Sequence, residues 1–126
     1  MLHHISLGVR NLALSAEFYD AALGALGYRR VFESRTDIGY GLVDGEDKLC
    51  LKFRPENATA PADGFHLAFA APSRAAVDEF HRSALQVGGH DNGPPGLRAN
   101  YGARYYAAFL IDPDGHKIEA VCNDPV

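Results

Sequence analysis

The sequence predicts an α+β fold made of two similar halves, and three observations carry that prediction. A shift of 62 positions lays one half on the other without a gap. His4-Ile5-Ser6-Leu7-Gly8-Val9 then falls on His66-Leu67-Ala68-Phe69-Ala70-Ala71, Asn11 on Ser73, Phe18 on Phe80, Leu23 on Leu85 and Gly27 on Gly89. Each half opens with alternating polar and apolar residues, the period of a half-buried strand, and continues with apolar residues at helical spacing. The chain has 126 residues, 47% hydrophobic and 22% charged, enough apolar surface for one core.

The first strand is expected over residues 2–9, with Ile5, Leu7 and Val9 on one face and His4, Ser6 and Gly8 on the other. Asn11 is the expected N-cap, because its side-chain oxygen can accept from an orphan N–H of the first turn. Leu12, Ala16, Tyr19, Leu23 and Leu26 form the buried stripe of the helix, and Gly24 and Gly27 stop it. Tyr28–Glu33, Asp37–Val43 and Lys48–Arg54 read as strands, the last two joined by a hairpin at Asp44-Gly45. A linker rich in Pro, Ala, Asn and Asp follows. The expected division is a first module over 1–55, a linker over 56–63 and a second module over 64–126.

The second half repeats the plan. Phe65–Ala71 reads as a strand, Ser73 as an N-cap and Arg74–Val87 as a helix buried through Val77, Phe80, Ala84 and Leu85. Three glycines and two prolines in 91–104 predict a long loop. Tyr105–Ile111 and Lys117–Cys122 are the final strands, joined by the turn Asp112-Pro113-Asp114-Gly115.

Composition excludes several roles. Twelve basic residues stand against sixteen acidic ones, and no basic run is present, so no nucleic-acid partner is expected. No stretch approaches the roughly 18 apolar residues of a membrane helix, so no membrane partner is expected either. Cys50 and Cys122 are too few for a disulfide framework. The first residues carry no basic segment followed by an apolar one, and a cytoplasmic protein with free thiols is expected.

The chemistry concentrates on three residues. His4 and His66 hold equivalent places in the repeat, each on the polar side of its strand. Glu119 is on the polar side of the last strand, opposite Ile118, Ala120 and Cys122. If the apolar sides pack on the helices and the two halves curl together, all three face a shared cavity. Two imidazoles and one carboxylate form a facial set that can hold a divalent metal and leave positions open for substrate. Cys50 matches Glu119 when Lys48-Leu49-Cys50 is laid on Lys117-Ile118-Glu119, so the first half offers a thiol where a fourth carboxylate would stand. Lys52, Arg98, Tyr101 and Tyr106 are candidate pocket residues, since aromatic rings and cations can hold a planar or anionic ligand. Tyr40 is a weaker candidate of the same kind; His81 is expected on the helix surface or behind the site residues, and His90 and His116 in solvated turns.

These motifs, His4-Ile-Ser-Leu-Gly-Val-Arg-Asn-Leu, Glu17-Phe-Tyr-Asp-Ala-Ala-Leu-Gly-Ala-Leu-Gly, Gly64-Phe-His66-Leu-Ala-Phe and Asp112-Pro-Asp-Gly-His-Lys-Ile-Glu119, resemble the vicinal oxygen chelate superfamily of glyoxalases, bleomycin-resistance proteins and extradiol dioxygenases. The resemblance implies two tandem βαβββ modules that form a curved mixed sheet around a central cavity. It also implies that His4, His66 and Glu119 fall on metal-ligand positions, that the metal is Zn, Ni, Mn or Fe, and that the chain forms a homodimer. Glyoxalase I has a further glutamate at the position of Cys50 or Leu51, which this chain lacks. Two readings therefore stand. One is a metal-dependent enzyme acting on a small substrate with vicinal oxygens, with Glu119 as ligand and proton carrier. The other is a metal-free protein that binds or sequesters a small molecule.

Overall fold

The computed structural model describes residues 1–124. Pro125 and Val126, the end of the span expected for the second module, lie outside the described residues. The order is β1 (Ile5–Val9), α1 (Leu12–Gly24), β2 (Arg29–Glu33), β3 (Asp37–Val43) and β4 (Glu46–Phe53), then β5 (Leu67–Ala70), α2 (Arg74–Leu85), β6 (His90–Leu97), β7 (Tyr106–Ile111) and β8 (Lys117–Cys122). Each half makes its own four-stranded sheet, in the orders β1-β4-β3-β2 and β5-β8-β7-β6. In both, the first strand runs parallel to the last and the other pairs are antiparallel. The α+β architecture of two βαβββ units is therefore present.

Local chemistry explains the element ends. Asn11 accepts from the Leu14 N–H and Ser73 from the Ala76 N–H, each satisfying a donor of the first helical turn. Gly45 closes the β3–β4 hairpin with φ of 79°, the left-handed value at the third position of a type II turn. Asp44 beside it has negative φ, so the hairpin does not use the primed turn that Asp-Gly most often makes.

The helices pack on each other and share one core. Phe18, Tyr19 and Leu23 of α1 meet Val77, Phe80 and Ala84 of α2, and the sheets add Val9, Leu51, Leu110, Ile118 and Ala120. Burying one large apolar side chain stabilises by about 1.5–3 kcal/mol, so this seam holds the modules together.

Three expectations are corrected. The predicted loop over 91–104 is largely strand β6, spanning His90–Leu97. Pro94 and Pro95 fit because β6 is the outer strand and its register slips between Gly93 and Gly96. The first strand begins at Ile5, not residue 2, and β5 begins at Leu67. His4 and His66 thus stand just ahead of their strands. His116 and His81 are buried, not solvated, because each has a carboxylate partner: Asp112 at 2.9 Å and Asp91 at 2.8 Å.

Candidate metal site on the second sheet

Register decides which side chains meet. Tyr106 pairs with Cys122, Ala108 with Ala120 and Leu110 with Ile118, and this set belongs to the core under α2. The alternate set, with Phe109 opposite Glu119, points to the face away from the helix. Glu119 on that face is only 1% exposed. A carboxylate so buried needs partners for its lone pairs, and it has two. His66 Nε2 lies 2.9 Å from Oε1, and the Tyr105 hydroxyl donates to Oε2 at 2.5 Å. Burial and the adjacent carboxylate push the Tyr105 phenol up to about 12. The His66 ring is half exposed and forms part of a hollow of about 230 Å³. Phe65, Asn92, Tyr101, Phe109 and Lys117 line the same hollow.

The His66–Glu119 spacing suits metal binding. Two ligand atoms about 2.1 Å from one ion, at right angles, stand about 3 Å apart. An imidazole nitrogen and a carboxylate oxygen are also a donor pair that zinc, manganese, nickel and ferrous iron accept.

His4 does not join them within one chain. Its Nδ1 lies 2.8 Å from His3 Nδ1, and it lines a second hollow with Ser6, Gly8, Thr59, Phe65 and His116. Phe65 forms a wall of both hollows.

The remaining candidates divide between the two sheets. Tyr101 stands in the hollow that His66 borders. The Arg98 guanidinium lies 5.3 Å over the Phe109 ring and donates to the Pro94 carbonyl. Cys50 and Lys52 belong to the first sheet, in register with Ser6 and Gly8. Burial raises the Cys50 thiol, which keeps it protonated and a poor ligand. Lys52 is held by Asp37 at 2.9 Å. Tyr106 turns to the helix side, donating to Asp78 with Arg74 over its ring. Tyr40 is likewise a core residue, donating to Asp20 and the Ala16 carbonyl. The residue that does reach Glu119, Tyr105, was one position away from the tyrosine singled out. Tyr105 shares the strand parity of Phe109, whose place opposite Glu119 is set by the β7–β8 register.

Among the described residues, the trio of possible ligands with donor atoms within 4.8 Å of one another is Asp112, Asp114 and His116. Its carboxylate oxygens are already engaged. Asp112 Oδ1 accepts from the Asp114 and His116 N–H groups and Oδ2 from the Tyr19 hydroxyl. Asp114 Oδ1 accepts from the Arg10 N–H and Oδ2 from the Ser15 hydroxyl. A cation here would have to displace these donors. The group instead fastens the β7–β8 turn to α1.

Residues 1–120 match the family description "Glyoxalase/Bleomycin resistance protein/Dioxygenase superfamily". The chain is similar to the crystal structure of a glyoxalase/bleomycin resistance protein from Albidiferax ferrireducens T118, with 34% identity, 99% of each chain covered and a TM-score of 0.84. In fold it is also similar to the fosfomycin resistance protein FosX from Mesorhizobium loti, at 20% identity and TM-score 0.68 over 97% of this chain and 91% of that one. An E144Q mutant of glyoxalase I from Zea mays shares the fold at 20% identity and TM-score 0.74, over 95% of this chain and 46% of that one. A comparison with curated proteins finds no match.

Proposed function

This chain belongs to the glyoxalase/bleomycin resistance protein/dioxygenase superfamily, and on that premise we propose that it is a divalent-metal-dependent enzyme acting on a small substrate with two neighbouring oxygens. The observation that carries the reading is the buried Glu119 carboxylate with His66 Nε2 at 2.9 Å, on the open face of the second sheet. Glu119 and His66 supply two ligands, and His4 of a second copy supplies the third, since His4 stands apart from them in its own chain. A homodimer is thus part of the proposal.

A bound divalent cation would act as a Lewis acid toward two adjacent substrate oxygens. The chain's own residues do the rest. Phe65, Tyr101 and Phe109 wall the substrate and exclude water from one side. Asn92 offers a donor and an acceptor, and Lys117 a positive charge, to polar groups of the substrate. On this reading Glu119 serves in turn as ligand and as proton carrier.

A metal-free binding protein is the second reading. It is favoured by Cys50, protonated and buried where a fourth carboxylate would stand, and by the aromatic walls of the hollow. Metal analysis of protein purified without a histidine tag separates the two. Stoichiometric metal, lost in His66→Ala and Glu119→Ala, supports the enzyme. No uptake of zinc, nickel, manganese or ferrous iron at micromolar concentration leaves the binding protein.

A further inference from the structure

Resting on the metal reading above, we propose that Tyr105 is a positioning residue: its hydroxyl occupies Glu119 Oε2, so that the carboxylate meets a divalent cation through Oε1 alone. The geometry is built for this. Tyr105 arrives at Glu119 from a turn that is braced on itself. The Arg98 N–H donates to the Tyr105 carbonyl at 2.8 Å, and the Tyr101 and Gly102 N–H groups donate to the Arg98 carbonyl. The Tyr105 N–H closes the turn on the Gly102 carbonyl. The Tyr101 ring lies 5.2 Å from the Tyr105 ring, tilted by 51°, and fixes the direction of the phenol.

The partition of Glu119 follows from its burial. Its two oxygens have different neighbours: Oε1 faces His66, which is half exposed and borders the hollow, and Oε2 faces Tyr105. Water barely reaches the carboxylate. An Oε2 deprived of the phenol would be an unsatisfied buried acceptor, and the nearest remedy is to turn toward the cation. Tyr105 therefore sets both the orientation of the ligand and the number of oxygens it gives. A partner that holds a ligating group in this way is worth about 10–100-fold in metal affinity.

The test is a cobalt(II) titration of the full chain, read in the visible absorption of the bound ion. Adding a second carboxylate oxygen raises the coordination number and weakens that absorption. Tyr105→Phe is expected to bind cobalt about 10–100-fold more weakly than the parent, with weaker, shifted bands. Tyr106→Phe loses a hydroxyl on the helix side and keeps the parent's constant and spectrum. Circular dichroism confirms that both variants are folded. A Tyr105→Phe protein with the parent's constant and spectrum overturns the proposal alone, as does a Tyr106→Phe protein that changes equally. A parent that takes up no cobalt overturns the metal reading and this proposal with it.

Discussion

The Tyr19 hydroxyl of α1 donates to Asp112 Oδ2 in the β7–β8 turn across 2.6 Å, with both side chains buried. It is a hydrogen bond between the modules, and burial beside the Asp112 charge pushes the phenol well above its ordinary range. Removing the hydroxyl leaves a buried acceptor short of a donor. Tyr19→Phe should therefore cost about 1–3 kcal/mol in urea unfolding. Asp112→Ala should cost more, about 3–5 kcal/mol, because it also strips His116 of its partner. A Tyr19→Phe midpoint equal to the parent's would show that the bond does not hold the modules.

The placement of His4 gives a mixing experiment. His4→Ala and Glu119→Ala each abolish metal uptake if the site spans two copies. Co-refolded in equal amounts, they form mixed dimers in which one site has both residues intact. Uptake should then return to about a quarter of the parent level. A mixture that stays at zero places the site within one chain.

Lys52 donates to Asp37 across 2.9 Å, which holds the Asp37 carboxyl below its usual range and raises Lys52. A depressed acid stabilises the fold fully above its unfolded value, about 4, and loses that contribution as pH falls through the folded value. The raised Lys52 contributes fully below its unfolded value, about 10.5, and loses it as pH rises beyond. Lys52→Gln should thus be less stable than the parent near neutrality. Solvent reaches both side chains, so the gap is about 0.5–1 kcal/mol. It should narrow as pH falls below about 4. Urea midpoints at pH 7 and pH 3 decide the matter, and an unchanged gap at pH 3 refutes the assignment.

Two glycines should respond with opposite signs to alanine. A Cβ at Gly41 would lie 2.5 Å from the Glu46 carbonyl oxygen, on the neighbouring strand. The backbone must move, so Gly41→Ala should destabilise by about 1–3 kcal/mol. A Cβ at Gly24 meets nothing within 4 Å, at the last residue of α1. Gly24→Ala should stabilise by about 0.4–1 kcal/mol, through the lower entropy of the unfolded chain. Thermal unfolding of both variants provides the check, and two shifts of the same sign would contradict it.

The repeat made the fold legible. His4 over His66 and Asn11 over Ser73 showed two strand–helix openings, and both caps are present. Strands Asp37–Val43 and Lys117–Cys122 stand at the expected bounds because alternation and flanking turns agree there. What local pattern could not show was pairing. Pro94 and Pro95 look like loop residues until β6 is known to be outermost. His81 and His116 look solvated until Asp91 and Asp112 are placed beside them. At the site, the face of Glu119 followed from the apolar set Ile118, Ala120 and Cys122. The contact with Tyr105 required the register of β7 on β8, which no local pattern supplies.

Pro94 and Pro95 have one more consequence. A bare sheet margin invites a neighbouring molecule to extend the ladder, the route by which β-rich proteins coalesce into fibrils. Along β6 two consecutive residues have no amide hydrogen to offer, and the register slip bends the margin at the same point. The β6 margin is therefore guarded against runaway polymerisation by its own sequence.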